Sequence, residues 1–245
     1  MTIESADDLE GLRAIGRIVR AVFDAMRAAA RPGMTTADLD AVGAQVLAAH
    51  GARSAPILMY DFPGATCISV NEEAAHGIPG ARVLAPRDMI NIDVSAEKDG
   101  YVADMGESFV LPPVDPVRAR ICRAVKRAVL EATERVRAGR SLNVIGAAVS
   151  RAAKKDGYRI IENLASHGVG RSLHEEPSYV PLDNPNERRT LKEGQVLTIE
   201  PFFTTGGAYV TERGDGWTLA VAPGALVAQY EHTLIVTKGK AVVVT

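Results

Sequence analysis

The sequence contains only two cysteines in 245 residues, and it lacks any long uncharged hydrophobic stretch. Two cysteines cannot build the disulfide framework of a secreted protein, so we expect Cys67 and Cys122 to be free thiols. A signal peptide or a membrane-spanning helix needs a continuous apolar run, and the candidate runs here are interrupted by proline, glycine or charge. These absences predict a cytoplasmic protein.

The chain also lacks an excess of positive charge. Its 28 Lys and Arg residues are balanced by 30 Asp and Glu residues, which leaves a net charge of −2. Proteins that bind nucleic acids or anionic membranes usually carry a basic surface, so the sequence gives no signal for either partner. Any function must therefore come from a localised site, and the 47% hydrophobic content allows a sizeable core around it.

The clearest local pattern lies in residues 89–110. Hydrophobic and polar residues alternate from Ile90 to Ser95, Lys98-Asp-Gly100 is typical of a turn, and Tyr101–Val110 is predicted to return as a second strand. This hairpin would carry one aspartate on each arm, Asp93 and Asp104. Two neighbouring carboxylates repel each other unless a cation lies between them, so the pair favours a shared metal site over two separate structural aspartates.

Helical periodicity predicts four helices, and the two pairs are related by a weak internal repeat. The segment Arg31-Pro-Gly-Met-Thr35 is matched 106 positions later by Arg137-Ala-Gly-Arg-Ser141. We therefore predict an α+β fold with two pseudo-symmetric halves, each of two helices followed by strands, in a single domain spanning residues 1–245. The predicted helices are 6–30, 36–51, 116–136 and 141–155, residues 52–66 are predicted to be irregular, and the predicted strands of the second half are 158–163, 196–203, 209–211, 225–237 and 241–245.

Three further candidate metal ligands lie in the second half. Glu200 and Glu231 interrupt apolar, β-branched stretches, as Asp93 does, and His167 lies in Ser-His-Gly-Val-Gly. Four carboxylates and one imidazole suit Mn, Fe(II), Co or Zn, and two divalent ions would balance the charge. Such a pair, about 3.5–4 Å apart, makes a nucleophile from a bridging water and polarises a carbonyl group, so the pattern indicates hydrolysis.

These residues and the sequences around them resemble the methionine aminopeptidases of the pita-bread metallopeptidase family, in the shorter bacterial form known as type I. The resemblance covers nearly the whole chain and joins several motifs, which makes it specific. The motifs are Cys67-Ile-Ser-Val-Asn-Glu-Glu-Ala-Ala-His-Gly-Ile-Pro79, Asn91-Ile-Asp-Val, His167-Gly-Val-Gly-Arg171, His174-Glu-Glu-Pro177, Thr198-Ile-Glu-Pro201, Asp215-Gly-Trp-Thr218 and Gln229-Tyr-Glu-His-Thr233.

The resemblance implies a role for each matched residue. Asp93 would bind one metal ion, Asp104 and Glu231 would bridge two, and His167 and Glu200 would complete the other, with Glu200 also moving the proton of the bridging water. The resemblance further implies that His76 and His174 contact the scissile amide, and that Phe62, Cys67 and Trp217 line the methionine pocket, with Tyr60 and Met59 as further candidates. The segment Met59-Tyr-Asp-Phe-Pro63 departs from the bacterial pattern Tyr-His-Gly-Tyr-Pro.

The activity implied is removal of the N-terminal methionine from polypeptides with a small second residue, by a metal-bridging hydroxide. The expected partners are N-termini of nascent polypeptides at the ribosome, and the expected state is a monomer. One alternative is a related X-Pro aminopeptidase or dipeptidase, although these usually carry an additional N-terminal domain for which we expect no room. Another is a non-catalytic pita-bread binding protein, which would be expected to have lost metal ligands.

Overall fold

The computed structural model describes all residues from 1 to 245 and contains helices and antiparallel strands. The helices are α1 (Ala6–Ala29), α2 (Thr36–Ala49), α3 (Ala55–Tyr60), α4 (Pro116–Thr133) and α5 (Asn143–Asp156). The strands are β1 (Arg53–Ser54), β2 (Cys67–Val70), β3 (Glu73–Ala75), β4 (Met89–Lys98), β5 (Tyr101–Val110), β6 (Arg159–Ile160), β7 (Ser166–Gly168), β8 (Glu175–Tyr179), β9 (Val196–Ile199), β10 (Phe202–Thr204), β11 (Thr211–Glu212), β12 (Leu219–Ala220), β13 (Val227–Gln229), β14 (His232–Ile235) and β15 (Val242–Val243).

Three of the four long helices begin where side chains cap their free N–H groups, and α5 begins without such a cap. Ser5 and Asp8 form the predicted capping box of α1. A second capping box, formed by Thr35 and Asp38, starts α2, so the cap lies one residue before the predicted Thr36. Asp115 caps α4, with Pro116 in the first turn, where a missing N–H costs nothing.

The β4–β5 hairpin has the predicted bounds, and it lies at the centre of the first half. β4 also pairs with β1 and β2. The register places Asp93 opposite Gly106 and Ser95 opposite Asp104. Because side chains two positions apart share a face of a strand, Asp93 and Asp104 lie diagonally on the same face of the hairpin.

In the second half a five-stranded sheet runs in the order β15-β14-β9-β7-β8, and a smaller sheet pairs β13, β10 and β6. His167 lies in β7, Glu200 directly follows β9, and Glu231 lies between β13 and β14. The single predicted strand 196–203 is therefore wrong in detail, since it breaks at Glu200-Pro201, where the proline cannot donate to a ladder. The predicted strand 225–237 is also interrupted, at Tyr230-Glu231, where the N–H of Glu231 donates to the carbonyl of Gly106.

The predicted internal repeat is visible in the backbone hydrogen bonds. The N–H of Gly33 donates to the carbonyl of Leu84, and the N–H of Gly139 donates to the carbonyl of Leu191. Each half has its own hydrophobic core, one formed with α1 and α2 and the other with α4 and α5. Strands in each half thus pack against a pair of helices.

The stretch 52–66 differs from its prediction, because it contains β1 and α3. A helix of six residues is too short to show periodicity, but Ser54 caps it and Pro56 lies in its first turn. Neither α3 nor any longer helix combines the length and the hydrophobicity that crossing a bilayer requires.

Candidate metal centre and active site

The predicted site residues from both halves meet around one cavity of about 250 Å³. Its walls contain acids, imidazoles and apolar side chains but no lysine or arginine. Glu231 is buried beneath this wall, with only 1% of its surface exposed. Of the two further pocket candidates, Tyr60 lines the cavity and Met59 does not. The remaining predicted residues line it: Phe62, Cys67, His76, Asp93, Asp104, His167, His174, Glu200 and Trp217.

Asp104, His167 and Glu231 form the most compact group of possible ligands, with ligand atoms within 4.8 Å of one another. The Nε2 atom of His167 lies 3.1 Å from Oε1 of Glu200 and 3.8 Å from Oδ2 of Asp104. Its Nδ1–H donates a 2.9 Å hydrogen bond to the carbonyl oxygen of Gly168. This bond leaves Nε2 as the nitrogen that can bind a metal.

Glu231 provides the strongest structural sign that a cation belongs here. One of its oxygens accepts a 3.0 Å hydrogen bond from Nε2 of Gln229, but Oε1 is buried without any hydrogen-bond partner. The Gln229 amide is held in turn by Asn91, whose Nδ2 donates to Oε1 of Gln229 over 2.8 Å. An orphaned buried carboxylate oxygen is costly unless a cation satisfies it, so these residues fit a divalent metal.

The pKa values of the clustered acids also indicate that a cation fits between them. Burial, together with the neighbouring carboxylates, raises the pKa of Asp93 and of Glu231 well above the ordinary range. Burial raises the pKa of Asp104 to about 6, although the nearby His167 opposes this shift. Burial lowers the pKa of His167, but Glu200 and Asp104 outweigh it and raise that pKa to about 9. Asp93 and Glu231 thus retain protons at neutral pH that a bound cation would displace.

Hydrogen bonds from the same strands fix the acidic side chains. The Ser95 hydroxyl donates to Asp104 over 2.7 Å, and the Thr198 hydroxyl donates to Glu200 over 2.8 Å. Thr233, two residues after Glu231, accepts a 3.0 Å hydrogen bond from the N–H of Asp104. The sequence did not predict these supporting residues, because the local sequence around a serine or threonine in a strand does not identify its hydrogen-bond partner.

His76 and His174 also line the cavity but are not members of the compact ligand group; the ring of His174 packs edge to face against that of His167, with centroids 4.4 Å apart. His76 follows β3 with a left-handed backbone, φ 56°. Gly77 follows it, and a Cβ there would approach the carbonyl oxygen of Ile68 to 2.2 Å, so only glycine fits. Burial lowers the pKa of both imidazoles, that of His174 to about 4. Both side chains are therefore neutral near pH 7 and able to donate one hydrogen bond each.

The apolar side of the cavity is formed by Phe62, Trp217 and Cys67. The rings of Phe62 and Trp217 meet edge to face with centroids 5.2 Å apart. Burial, with Asp93 nearby, raises the pKa of the Cys67 thiol, which is therefore protonated and acts as a small apolar group. The two remaining histidines lie outside the cavity: Nε2 of His232 is hydrogen-bonded to the Tyr230 hydroxyl, and His50 lies on the surface.

A second, larger groove of about 500 Å³ opens on the other side of the same polar residues. It shares His76, His174 and Glu200 with the smaller cavity, and its outer wall is formed by side chains such as Asn163 and Ser178. The acids and imidazoles therefore lie at the junction between a small apolar pocket and a wide groove.

The model of metallopeptidase family M24 matches residues 10–238 of the chain. Methionine aminopeptidase 2 of Bacillus subtilis is 42% identical over 247 residues, covering 100% of this chain and 99% of the relative. A methionine aminopeptidase of Staphylococcus epidermidis is 45% identical over 240 residues, covering 97% of this chain and 96% of the relative.

Solved structures give the same result. The methionine aminopeptidase of Rickettsia prowazekii superposes with a TM-score of 0.95 at 32% identity, covering 100% of both chains. The prolidase of Pyrococcus furiosus shares the fold, with a TM-score of 0.81 at 21% identity over 100% of this chain and 65% of its own. The α+β pita-bread fold predicted from the sequence is confirmed, and the chain belongs to metallopeptidase family M24.

Proposed function

We propose that this protein is a metal-dependent aminopeptidase that removes the N-terminal methionine from polypeptides whose second residue is small. The observation that carries the proposal is the junction of the two cavities. The 250 Å³ pocket has room for one side chain, and the 500 Å³ groove has room for the chain that follows it. The first peptide bond would then lie beside the acids and imidazoles. This arrangement favours cleavage after a single residue.

The ligand set supports two divalent ions held by Asp93, Asp104, His167, Glu200 and Glu231. Oxygen-rich ligation with one imidazole suits Mn, Fe(II), Co or Zn, and four carboxylates balance two such ions. When bound, divalent ions supply a nucleophile by lowering the pKa of water, and they polarise the carbonyl group.

The protein's own groups would do the remaining work. Phe62, Trp217 and Cys67 would bind the methionine side chain and exclude water from the pocket. Glu200 would accept the proton of the attacking water and return it to the amine that leaves. His174 and His76, both neutral, would donate hydrogen bonds to the carbonyl oxygen and contact the scissile nitrogen as charge develops there.

The natural substrates would be N-termini of nascent polypeptides at the ribosome, acted on by a cytoplasmic monomer. The test is hydrolysis by the metal-reconstituted protein of Met-Ala, Met-Gly-Met, Met-Leu and X-Pro peptides side by side. We expect release of methionine from the first two and little from Met-Leu. Preference for the X-Pro peptide would instead favour a prolidase-like activity, and the absence of all hydrolysis would contradict the proposal.

A further inference from the structure

The short helix α3 reaches the active site, although its stretch was predicted to be irregular. Its last residue, Tyr60, lines the pocket, and its hydroxyl oxygen lies 2.7 Å from Nδ1 of His174. The rings are tilted at 53°, with centroids 5.3 Å apart. The two residues are separated by 114 positions in the sequence, so this contact exists only in the folded protein.

We propose that Tyr60 is a positioning residue, which holds His174 in the tautomer with the proton on Nε2 and aims that N–H at the substrate. This inference rests on the proposed aminopeptidase reaction, in which His174 donates to the carbonyl oxygen. It adds to that reaction the residue that makes His174 a donor.

The direction of the hydrogen bond follows from the chemistry of the two groups. A phenol donates more strongly than it accepts, because its oxygen lone pair is partly delocalised into the ring. Burial raises the pKa of Tyr60 above its ordinary value, so the hydroxyl keeps its proton at neutral pH. It has no other hydrogen-bond partner in the protein. Nδ1 of a neutral His174 is then the acceptor, and the ring proton must lie on Nε2.

The helix α3 that carries Tyr60 is joined to the strand that carries one of the candidate metal ligands. Ser54 caps α3 and pairs with Ala96 on β4, the strand that carries Asp93. After Tyr60 the chain turns away through Asp61, which has a left-handed backbone with φ 55°. The backbone position of Tyr60 relative to Asp93 is therefore fixed by these contacts, and the position of the hydroxyl depends only on the side-chain torsion angles of Tyr60.

The loop that carries His174 is held from both sides. Sδ of Met59 accepts a hydrogen bond from the N–H of Leu173 over 3.2 Å. On the other side the Glu175 carboxylate accepts from the N–H groups of Arg171 and Ser172, over 2.6 and 2.8 Å. These bonds fix the loop, but none of them touches the imidazole. The Tyr60 hydroxyl is thus the only hydrogen-bond partner of the imidazole, which also packs edge to face against the ring of His167 with centroids 4.4 Å apart.

The test begins with the tautomer of His174 in metal-free protein labelled with ¹⁵N. Long-range ¹H–¹⁵N spectra at about pH 8, where a free imidazole is neutral, distinguish the two ring nitrogens. A His174→Gln variant identifies the signals of His174 among the five histidines. We expect Nε2 to carry the proton in the wild type and both nitrogens to share it in Tyr60→Phe. Finding the proton on Nδ1 in the wild type, or no change in the variant, would overturn the proposal.

Kinetics of the metal-loaded enzyme provide the second readout. Tyr60→Phe should lower kcat for Met-Ala by about tenfold and leave KM within about twofold, because phenylalanine keeps the pocket wall. The matched control is Tyr209→Phe, which breaks another 2.7 Å hydroxyl bond, to Glu162, on the surface, and should leave kcat unchanged.

A rise in KM alone would mean that Tyr60 only lines the pocket. If the wild type fails to hydrolyse Met-Ala, the proposed function is contradicted, whereas the tautomer of His174 still reports on Tyr60 independently.

Discussion

Replacing Asp104 with asparagine should stabilise the metal-free protein while it destroys metal binding. Asn keeps nearly the same shape and can still accept the 2.7 Å hydrogen bond from Ser95. What it removes is one negative charge, which burial and the Glu200 carboxylate disfavour even though the charged imidazole of His167 lies nearby. The cluster is therefore expected to cost the folded apoprotein stability that metal binding recovers.

The magnitude follows from the pKa of Asp104, which is about 6 in the folded protein against an ordinary 3.8. A raised carboxyl pKa means that ionisation opposes folding, fully above the folded pKa and progressively less as the pH falls toward the unfolded value. The difference corresponds to about 3 kcal/mol at pH 7 and about 1.5 kcal/mol at pH 5. We expect Asp104→Asn to gain up to these amounts relative to the wild type.

Urea denaturation of chelator-treated protein at pH 7 and pH 5 measures both values. The control is Asp24→Asn, which breaks an exposed pair with Arg20 and should change stability by no more than about 0.5 kcal/mol at either pH. A loss of stability in Asp104→Asn that is equal at both pH values would refute the reasoning, because it would show that Asp104 stabilises the fold through its hydrogen bonds.

Three further predictions concern the candidate metal ligands, the apolar pocket and a buried histidine outside the site. Glu231→Gln should lose bound metal, measured by elemental analysis, together with activity. His174→Gln should keep its metal and lower kcat by about 10- to 100-fold. Loss of metal from the His174 variant would show that His174 is a ligand. Phe62→Ala should lower kcat/KM for Met-Ala by about tenfold by removing apolar contact, and unchanged kinetics would place the methionine elsewhere. His232, whose pKa burial lowers to about 4, should make the protein less stable as pH falls from about 6.5, by about 2 to 3 kcal/mol at pH 4. In His232→Asn that part of the acid sensitivity should be absent from urea denaturation curves, and an unaltered pH dependence would contradict it.

The sequence predicted those parts of the fold whose signals are local. Capping boxes and 3.6-residue periodicity gave the long helices to within a few residues, and strict alternation with a turn gave the β4–β5 hairpin. The carboxylates at Asp93 and Asp104 stood out because strands disfavour aspartate, and the hairpin register places them on one face.

What the sequence could not show depends on distant contacts or on very short elements. β7 has three residues and β8 has five, with a register shift between them, so neither shows a period. Glu200 lies just after β9, where Pro201 ends the ladder, and Glu231 lies in the break between β13 and β14. The hydrogen bond between Tyr60 and His174 joins the two halves of the chain, and no local pattern encodes it.

The central claim is that five side chains from both halves of the chain bind a pair of divalent ions. Anomalous diffraction from crystals soaked in Mn²⁺ tests it directly. We predict two peaks inside the cavity, each about 2.0–2.3 Å from oxygen or nitrogen atoms of Asp93, Asp104, His167, Glu200 and Glu231. Peaks that lie elsewhere, or a cavity without any, would contradict the claim.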